Sequence, residues 1–160
     1  MKKIDICDEI RRVLVLRSKS LSTAESCTSG RIAASLTQVS GASEYFQGGI
    51  VCYQDDLKTR FLGVAAEDIE SYDVVSQPVV EQMVRGACQL FGTDYALSST
   101  GYAGGGMNGI PDGTIWIGWG SVDDVHSLCI HEDKGREWNT ENAVETVLHQ
   151  FLDFLNDTRE

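Results

Sequence analysis

Apolar positions recur along the chain at two different periods, and these periods predict its secondary structure. Apolar residues three and four positions apart are typical of amphipathic helices. By this spacing we predict helices over residues 4–18, 28–40, 54–62, 76–91 and 144–155. Shorter segments rich in β-branched and aromatic residues predict strands over residues 21–25, 45–53, 94–100, 114–120 and 125–131.

The order of these segments predicts the fold class. Strands and helices alternate in the first half, which implies parallel strand pairs, and a hairpin across residues 121–124 adds an antiparallel pair. We therefore predict one domain over residues 1–160 of the α/β class. It is a three-layer α/β/α sandwich around a mixed, mostly parallel sheet of about five strands. The pattern leaves the strand order open.

Local signals add detail to several elements. Ser76 is expected to cap the helix over 76–91, with Pro78 in its first turn and Gly92 at its end. The Gly48–Gly49 pair inside a predicted strand indicates a bulge or a close backbone approach.

The charge balance narrows the range of partners. The chain has 24 acidic and 13 basic residues, and its net charge of −11 argues against nucleic-acid and anionic-membrane partners. A local positive site is still compatible with a small anionic ligand. No apolar run approaches the ~18 residues of a membrane-spanning helix, and the first residues lack the apolar stretch of a signal peptide. We therefore expect a cytoplasmic protein.

The five cysteines and three histidines show no spacing typical of a metal or disulfide site. The cysteines are far apart, without a C-x-x-C pair. His126 and His131 flank Cys129 on a predicted strand, where a structural role is the better interpretation than zinc binding. We expect neither a metal nor another cofactor.

The segment "TAESCTSG", residues 23–30, places several small polar groups where a strand gives way to a helix. Backbone N–H groups and the helix dipole at such a junction can face an anion. The simpler interpretation is that Ser26 or Thr28 only caps the helix. A second junction of this kind holds Tyr53 and Lys58. Parallel strand ends share one sheet edge, so Ser26, Tyr53 and Lys58 could converge there, with a desolvated Lys58 as base; the alternative is a surface lysine.

Two further segments could contact a ligand. The loop over residues 101–113 has six glycines and connects one strand to another. It lacks the Gly-Lys-Ser/Thr ending of a phosphate-binding P-loop. Its N–H groups could approach a ligand or an oxyanion, or the loop could be a flexible connector. Lys134 and Arg136, just before the last helix, could receive a phosphate or could be ordinary loop charges.

Taken together, these segments closely resemble the C-terminal domain of the CinA (competence/damage-inducible) family over roughly residues 5–155. Family members carry T-A-E-S-C-T-G-G, V-x-Y-x-N-x-x-K-x-x-x-L-G-V, V-S-E-P-V, S-G-I-A-G-P-G-G and G-T-V-W-I. The matching segments are "TAESCTSG", "VCYQDDLKTRFLGV", "VSQPV", "TGYAGGG" and "GTIWIGW".

The resemblance implies an amidohydrolase that converts nicotinamide mononucleotide to nicotinate mononucleotide and ammonia, without a metal. It implies Ser26 as nucleophile, Lys58 as base and Tyr53 nearby. Cys27 is the rival nucleophile and is placed second, because no histidine lies near it in the sequence. The residues expected to bind substrate are Glu25, Thr28, Gly30, Thr100, Gly101, Gly104 and Arg136. The family tendency also makes a homo-oligomer the expectation.

The chain departs from the family pattern at several positions. The motif asparagine is replaced by a carboxylate that could hold Lys58 protonated, and an arginine expected at a phosphate contact is lost. The substituted positions are Ser29, Asp55, Thr100, Gly105 and Thr140. These changes keep open a second reading, a nucleotide-binding domain with weak or no turnover. A third, an interaction module for a competence or DNA-damage partner, has no support in the residues.

Overall fold

Residues 1–158, the part that the computed structural model describes, form six α-helices, one 3₁₀ helix and five strands. In chain order these are α1 (Lys3–Arg17), β1 (Leu21–Glu25), α2 (Arg31–Leu36), the 3₁₀ turn Ala42–Glu44, β2 (Phe46–Val51), α3 (Asp55–Leu62), α4 (Ala66–Tyr72), α5 (Gln77–Phe91), β3 (Tyr95–Tyr102), β4 (Thr114–Gly120), β5 (Val125–His131) and α6 (Arg136–Asp157).

The five strands form one mixed sheet in the order β2-β1-β3-β4-β5. β1 is parallel to both β2 and β3, whereas β3, β4 and β5 run antiparallel as a meander. Helices α1, α2 and α6 pack on one face of the sheet, and α3, α4 and α5 lie on the other. The predicted α/β/α sandwich around a five-stranded mixed sheet is confirmed.

The structure buries the apolar faces that the sequence pattern predicts. On α5, one face buries Val80, Met83, Val84 and Ala87 against the sheet. Gly86 on this helix faces α3, where an added Cβ would lie 2.0 Å from the carbonyl oxygen of Leu62. Helix α5 therefore packs directly against the end of α3.

The Gly48–Gly49 pair has the predicted bulge, and Gly49 has a close side-chain neighbour. The register between β1 and β2 shifts by one residue next to Gly48. A Cβ on Gly49 would lie 2.2 Å from the Oγ1 atom of Thr23, so only glycine fits between the two strands there.

Four local features differ from the predictions. Helix α6 begins at Arg136 rather than at residue 144, so Arg136 lies in its first turn and not before it. Helix α2 begins at Arg31 rather than near Thr28, because a turn over residues 26–30 precedes it, with Gly30 in a left-handed conformation. Helix α4 is absent from the predicted elements; it buries none of its seven residues, so it lacks an apolar pattern. The Ser76 side chain does not cap α5: its hydroxyl donates to the carbonyl oxygen of Asp73 at 2.8 Å.

Within residues 1–158, none of the helices combines the length and the apolar character that crossing a membrane requires.

Candidate active site

A cavity of about 220 Å³ lies where the parallel strands β1, β2 and β3 end. The three segments that follow or end these strands form its walls, as expected for a ligand site in an α/β sheet. The predicted residues that line it are Ser26, Tyr53, Lys58, Thr100, Gly101, Gly104 and Arg136. Glu25, Thr28 and Gly30 do not line it.

Ser26 is fixed in the cavity wall by a buried chain of hydrogen bonds. Its backbone N–H donates to Ser99 Oγ at 3.2 Å, and Ser99 Oγ lies 2.7 Å from Thr28 Oγ1. The Thr28 hydroxyl donates its only proton to the Glu25 carboxylate at 2.6 Å, so Ser99 is the donor to Thr28. Ser99 and Thr28 therefore position the backbone of Ser26 from behind.

Glu25 caps helix α2. Its two carboxylate oxygens accept the N–H groups of Ile32 at 2.9 Å and Ala33 at 3.0 Å. The predicted cap by the side chain of Ser26 or Thr28 is therefore wrong. Because the first helical amides are already satisfied, they are not free to bind an anion. Neither Glu25 nor Thr28 lines the cavity, and their substrate contacts stay predictions.

Lys58 is a buried lysine on the first turns of α3, with only 1% of its side chain exposed. Its ammonium donates to the carbonyl oxygen of Cys52 at 2.8 Å and to that of Tyr53 at 3.4 Å. Burial lowers the pKa of Lys58 from its ordinary value of 10.5, while the negative charge of Asp55 opposes this shift. Among residues 1–158, no hydrogen bond joins Lys58 to Ser26.

Cys27, the rival nucleophile, is half-buried and also lines the cavity. Burial raises the pKa of its thiol to about 12. Because the thiolate is the reactive form, this shift removes the usual advantage of a thiol, and Cys27 would need a base to take its proton, as Ser26 does.

The start of the glycine-rich loop forms the opposite wall. Thr100 Oγ1 donates to the carbonyl oxygen of Val74 at 2.9 Å. Gly101 has no room for a side chain, since a Cβ would lie 2.6 Å from the Cγ1 atom of Ile115. The carbonyl oxygen of Gly104 accepts a hydrogen bond from the Arg136 guanidinium at 3.0 Å.

Asp73 supports the cavity wall through hydrogen bonds, and sequence reasoning missed it. Its Oδ1 atom accepts hydrogen bonds from the Val75 amide at 2.9 Å and the Tyr102 hydroxyl at 3.0 Å, and its Oδ2 atom accepts from Asn108 at 2.9 Å. With φ 76° and ψ 157°, Asp73 has a backbone conformation that favours glycine. It ties the glycine-rich loop to the segment between α4 and α5, and no sequence signal marks it.

Asn139 was also missed. This buried side chain donates to the carbonyl oxygen of Ala103 at 2.9 Å and to Asp133 at 3.0 Å. It thereby joins the start of α6 to the cavity wall. A polar residue at an apolar-face position of the last helix was the available signal. The remaining cavity residues that were not predicted are Val74, Val75, Tyr102, Ala103 and Met107.

A second, outer cavity of about 640 Å³ shares Cys27, Tyr53 and Arg136 with the inner one. Tyr53 is 57% exposed and stands at the boundary. Lys134 lines neither cavity: its ammonium lies 4.5 Å from the ring centroid of Trp138. Of the two basic residues before the last helix, the structure places Arg136 alone at the site.

The geometry defines an α/β/α domain with a cavity at the carboxyl edge of its parallel strands. The competence damage-inducible protein A of Klebsiella pneumoniae superposes with a TM-score of 0.95 at 30% identity, covering 99% of this chain and 100% of that chain. A CinA superfamily protein of Escherichia coli gives a TM-score of 0.92 at 29% identity, covering 96% and 90%.

Sequence relatives point the same way. Residues 4–155 match the CinA C-terminal domain model. A CinA-like protein of Mycolicibacterium gilvum is 48% identical over 140 residues, which is 86% of this chain and 33% of that protein. One of Cytophaga hutchinsonii is 37% identical over 142 residues, covering 88% and 34%. The chain belongs to the CinA C-terminal domain family, and it spans about a quarter to a third of the length of the curated relatives it matches.

Proposed function

We propose that this domain is an amidohydrolase that converts nicotinamide mononucleotide to nicotinate mononucleotide and ammonia. The observation that carries the proposal is a buried lysine with a lowered pKa in the same 220 Å³ cavity as Ser26 and Tyr53. A lysine in a cleft whose burial disfavours the charged ammonium is a candidate for a general base, because the neutral amine can accept a proton. The match to the family motifs supplies the substrate class.

In the proposed reaction, neutral Lys58 takes the hydroxyl proton of Ser26 as Oγ attacks the carboxamide carbon. The tetrahedral intermediate collapses, the C–N bond breaks, and Lys58 returns the proton to the departing nitrogen, which leaves as ammonia. Water, deprotonated by Lys58, then attacks the ester on Ser26. Collapse of this second intermediate releases nicotinate mononucleotide, and the proton restores the Ser26 hydroxyl.

Backbone groups around the cavity would stabilise the negative oxygen of each intermediate. The N-terminal amides of α2 are bound to Glu25, so they do not serve this role. The candidate donors are the backbone N–H groups of Cys27 and of the cavity-lining segment 101–104.

The test is product analysis with purified protein and nicotinamide mononucleotide. We expect ammonia and nicotinate mononucleotide in equal amounts. Lys58→Ala should lower kcat by about 10³-fold or more, because it removes the base from every proton transfer. Lys19→Ala is the matched control. Lys19 lies just before β1, at the amino end of this strand, whereas the cavity lies at its carboxyl end. Unchanged turnover by Lys58→Ala would remove lysine from the mechanism.

A second candidate, a nucleotide-binding domain without turnover, is favoured by the surroundings of Lys58. Two carbonyl oxygens and the nearby Asp55 carboxylate all stabilise the charged ammonium, which is not a base. Calorimetric binding of nicotinamide mononucleotide with no ammonia release would support this candidate, and turnover would reject it.

A further inference from the structure

The inner cavity, of about 220 Å³, has a carboxylate in its wall that no hydrogen bond occupies. Asp55 is the first residue of α3, and its side chain is 59% exposed. Its Oδ1 atom lies 3.9 Å from the ammonium nitrogen of Lys58. Within residues 1–158, the side-chain oxygens of Asp55 form no hydrogen bond. Both oxygens therefore remain free to act on a ligand through their charge.

The other charged side chains that line the inner cavity are cations, and protein oxygens already hold them. Lys58 donates hydrogen bonds to two backbone carbonyl oxygens. Arg136 donates to the carbonyl oxygen of Gly104 at 3.0 Å. Asp55 is the acidic side chain among the lining residues, and its charge has no hydrogen-bonded compensation in the described part of the chain.

The charge of Asp55 acts on groups in two walls of this cavity. In one wall it opposes the effect of burial, which lowers the pKa of Lys58. In the wall formed by the glycine-rich loop, burial and Asp73 raise the pKa of the Tyr102 hydroxyl to about 12, and the charge of Asp55 adds to this shift. A ligand between these two walls lies in the same electrostatic field.

The proposed reaction changes the charge of the group that the inner cavity holds. The carboxamide of the substrate is uncharged, whereas the carboxylic acid of the product loses its proton at neutral pH. A nearby carboxylate repels the product because their charges are alike. Asp55 stands where the family motif carries asparagine, which has no charge and would not produce this repulsion.

We propose that Asp55 is a specificity-determining residue, whose carboxylate makes the inner cavity favour an uncharged carboxamide over the corresponding carboxylate and so weakens binding of the product. This inference rests on the proposed function, because that reaction places first a carboxamide and then a carboxylate in this cavity. The Lys58 ammonium attracts the product carboxylate. Asp55 offsets this attraction, because it lies 3.9 Å from the same ammonium.

The test is calorimetry in a Ser26→Ala background, which prevents turnover by the proposed mechanism. Nicotinamide mononucleotide and nicotinate mononucleotide differ only at the carboxamide or carboxylate, so the ratio of their dissociation constants reports the charge of this group. We expect Asp55→Asn to tighten the carboxylate about fivefold relative to the carboxamide at low salt. Asp55→Glu should keep the original ratio. Asp56→Asn, in the same helical turn but outside the cavity, is the matched control.

A second series separates direct repulsion from an effect that passes through Lys58. Asp55→Asn also lowers the pKa of Lys58, and a neutral amine attracts a carboxylate less, which opposes the expected change. The comparison is therefore repeated in Lys58→Met, or in Lys58→Gln if the methionine variant does not fold. We expect Asp55→Asn to tighten the carboxylate there too, with a smaller effect at high salt. An unchanged ratio in this background would overturn the proposal.

Ammonia assays with the wild-type protein distinguish this inference from the proposed function. If nicotinamide mononucleotide releases ammonia and the binding ratio does not depend on Asp55, the amidohydrolase stands and this role of Asp55 fails. If no ammonia is released but the ratio depends on Asp55 as expected, the charge selection stands and the proposed reaction fails. If neither nucleotide binds to the Ser26→Ala protein, the charge selection is rejected as well.

Discussion

The ammonium nitrogen of Lys58 lies 3.9 Å from the Oδ1 atom of Asp55, so a fully buried cation shares one helical turn with a carboxylate that is 59% exposed. Burial favours the neutral amine, whereas the carboxylate favours the ammonium. Burial is the larger effect, and the pKa of Lys58 is lowered. The proposed base therefore depends on a balance that one substitution can change.

Asp55→Asn should make Lys58 a base at lower pH. Without the carboxylate the pKa of Lys58 falls further, because the ammonium loses its nearest negative charge. In a pH profile of kcat/KM, we expect the acidic limb to move to lower pH and activity at pH 7 to rise. Asp56→Asn, in the same helical turn and also exposed, is the matched control. An acidic limb that stays in place would show that Lys58 does not govern it.

Burial of Lys58 should also make the free energy of unfolding depend on pH. Its pKa in the folded protein is lower than in the unfolded chain, so the unfolded chain binds more protons between these two values. Stability should therefore rise with pH through this interval, up to about 10.5. In Lys58→Met this contribution is absent.

Urea unfolding of the wild type and Lys58→Met across this pH range measures the effect. The difference in unfolding free energy between them should increase toward alkaline pH in favour of the wild type. A constant difference would mean that Lys58 has the same pKa in both states.

The carboxylate of Glu25 should contribute strongly to stability, because it accepts two of the first amides of α2. Glu25→Gln replaces one acceptor oxygen by an NH₂ group, which leaves one amide of α2 without a partner and removes the negative charge. We expect a loss of about 1–3 kcal/mol in unfolding free energy. We also expect lower kcat, because a neutral amide oxygen is a weaker acceptor for Thr28 and holds the Thr28–Ser99 chain behind Ser26 less firmly. Glu145→Gln, an exposed change in α6, should leave both quantities unchanged. A Glu25→Gln protein as stable as the wild type would contradict this role.

Asp73 should control the mobility of the glycine-rich loop. Asp73→Ala removes the acceptors of Tyr102 and Asn108 and keeps a side chain in a conformation that favours glycine. We expect faster hydrogen–deuterium exchange over residues 104–113 and a higher KM. Glu70→Ala, an exposed change on α4, is the control. Unaltered exchange in the loop would show that Asp73 does not hold it.

The elements that sequence reasoning predicted are those with an apolar period. An apolar period is present in α5, in α6 and in the hairpin of β4 and β5, because each of these packs one side against the core. Helix α4 buries no residue, so nothing in its pattern marks it. The strand order depends on contacts between distant segments, which a local pattern does not contain.

The sequence predicted the site residues that lie at the ends of parallel strands. It missed the roles that depend on contacts between segments distant in the sequence. Ser26, Tyr53 and Lys58 meet because parallel strands end on one edge. The cap was misassigned because Glu25 reaches amides seven and eight residues ahead, across a turn that local capping patterns do not describe. Ser99 matters only because β3 lies beside β1.

The most direct measurement is ammonia release from nicotinamide mononucleotide by the wild type, Ser26→Ala and Cys27→Ala, assayed in parallel. Ser26→Ala should be inactive, whereas Cys27→Ala should keep most of its activity, because the proposed mechanism assigns the attack to Ser26 and burial disfavours the reactive thiolate of Cys27. Ammonia release that persists in Ser26→Ala and disappears in Cys27→Ala would contradict the proposed serine nucleophile, and no release by the wild type would contradict the proposed reaction.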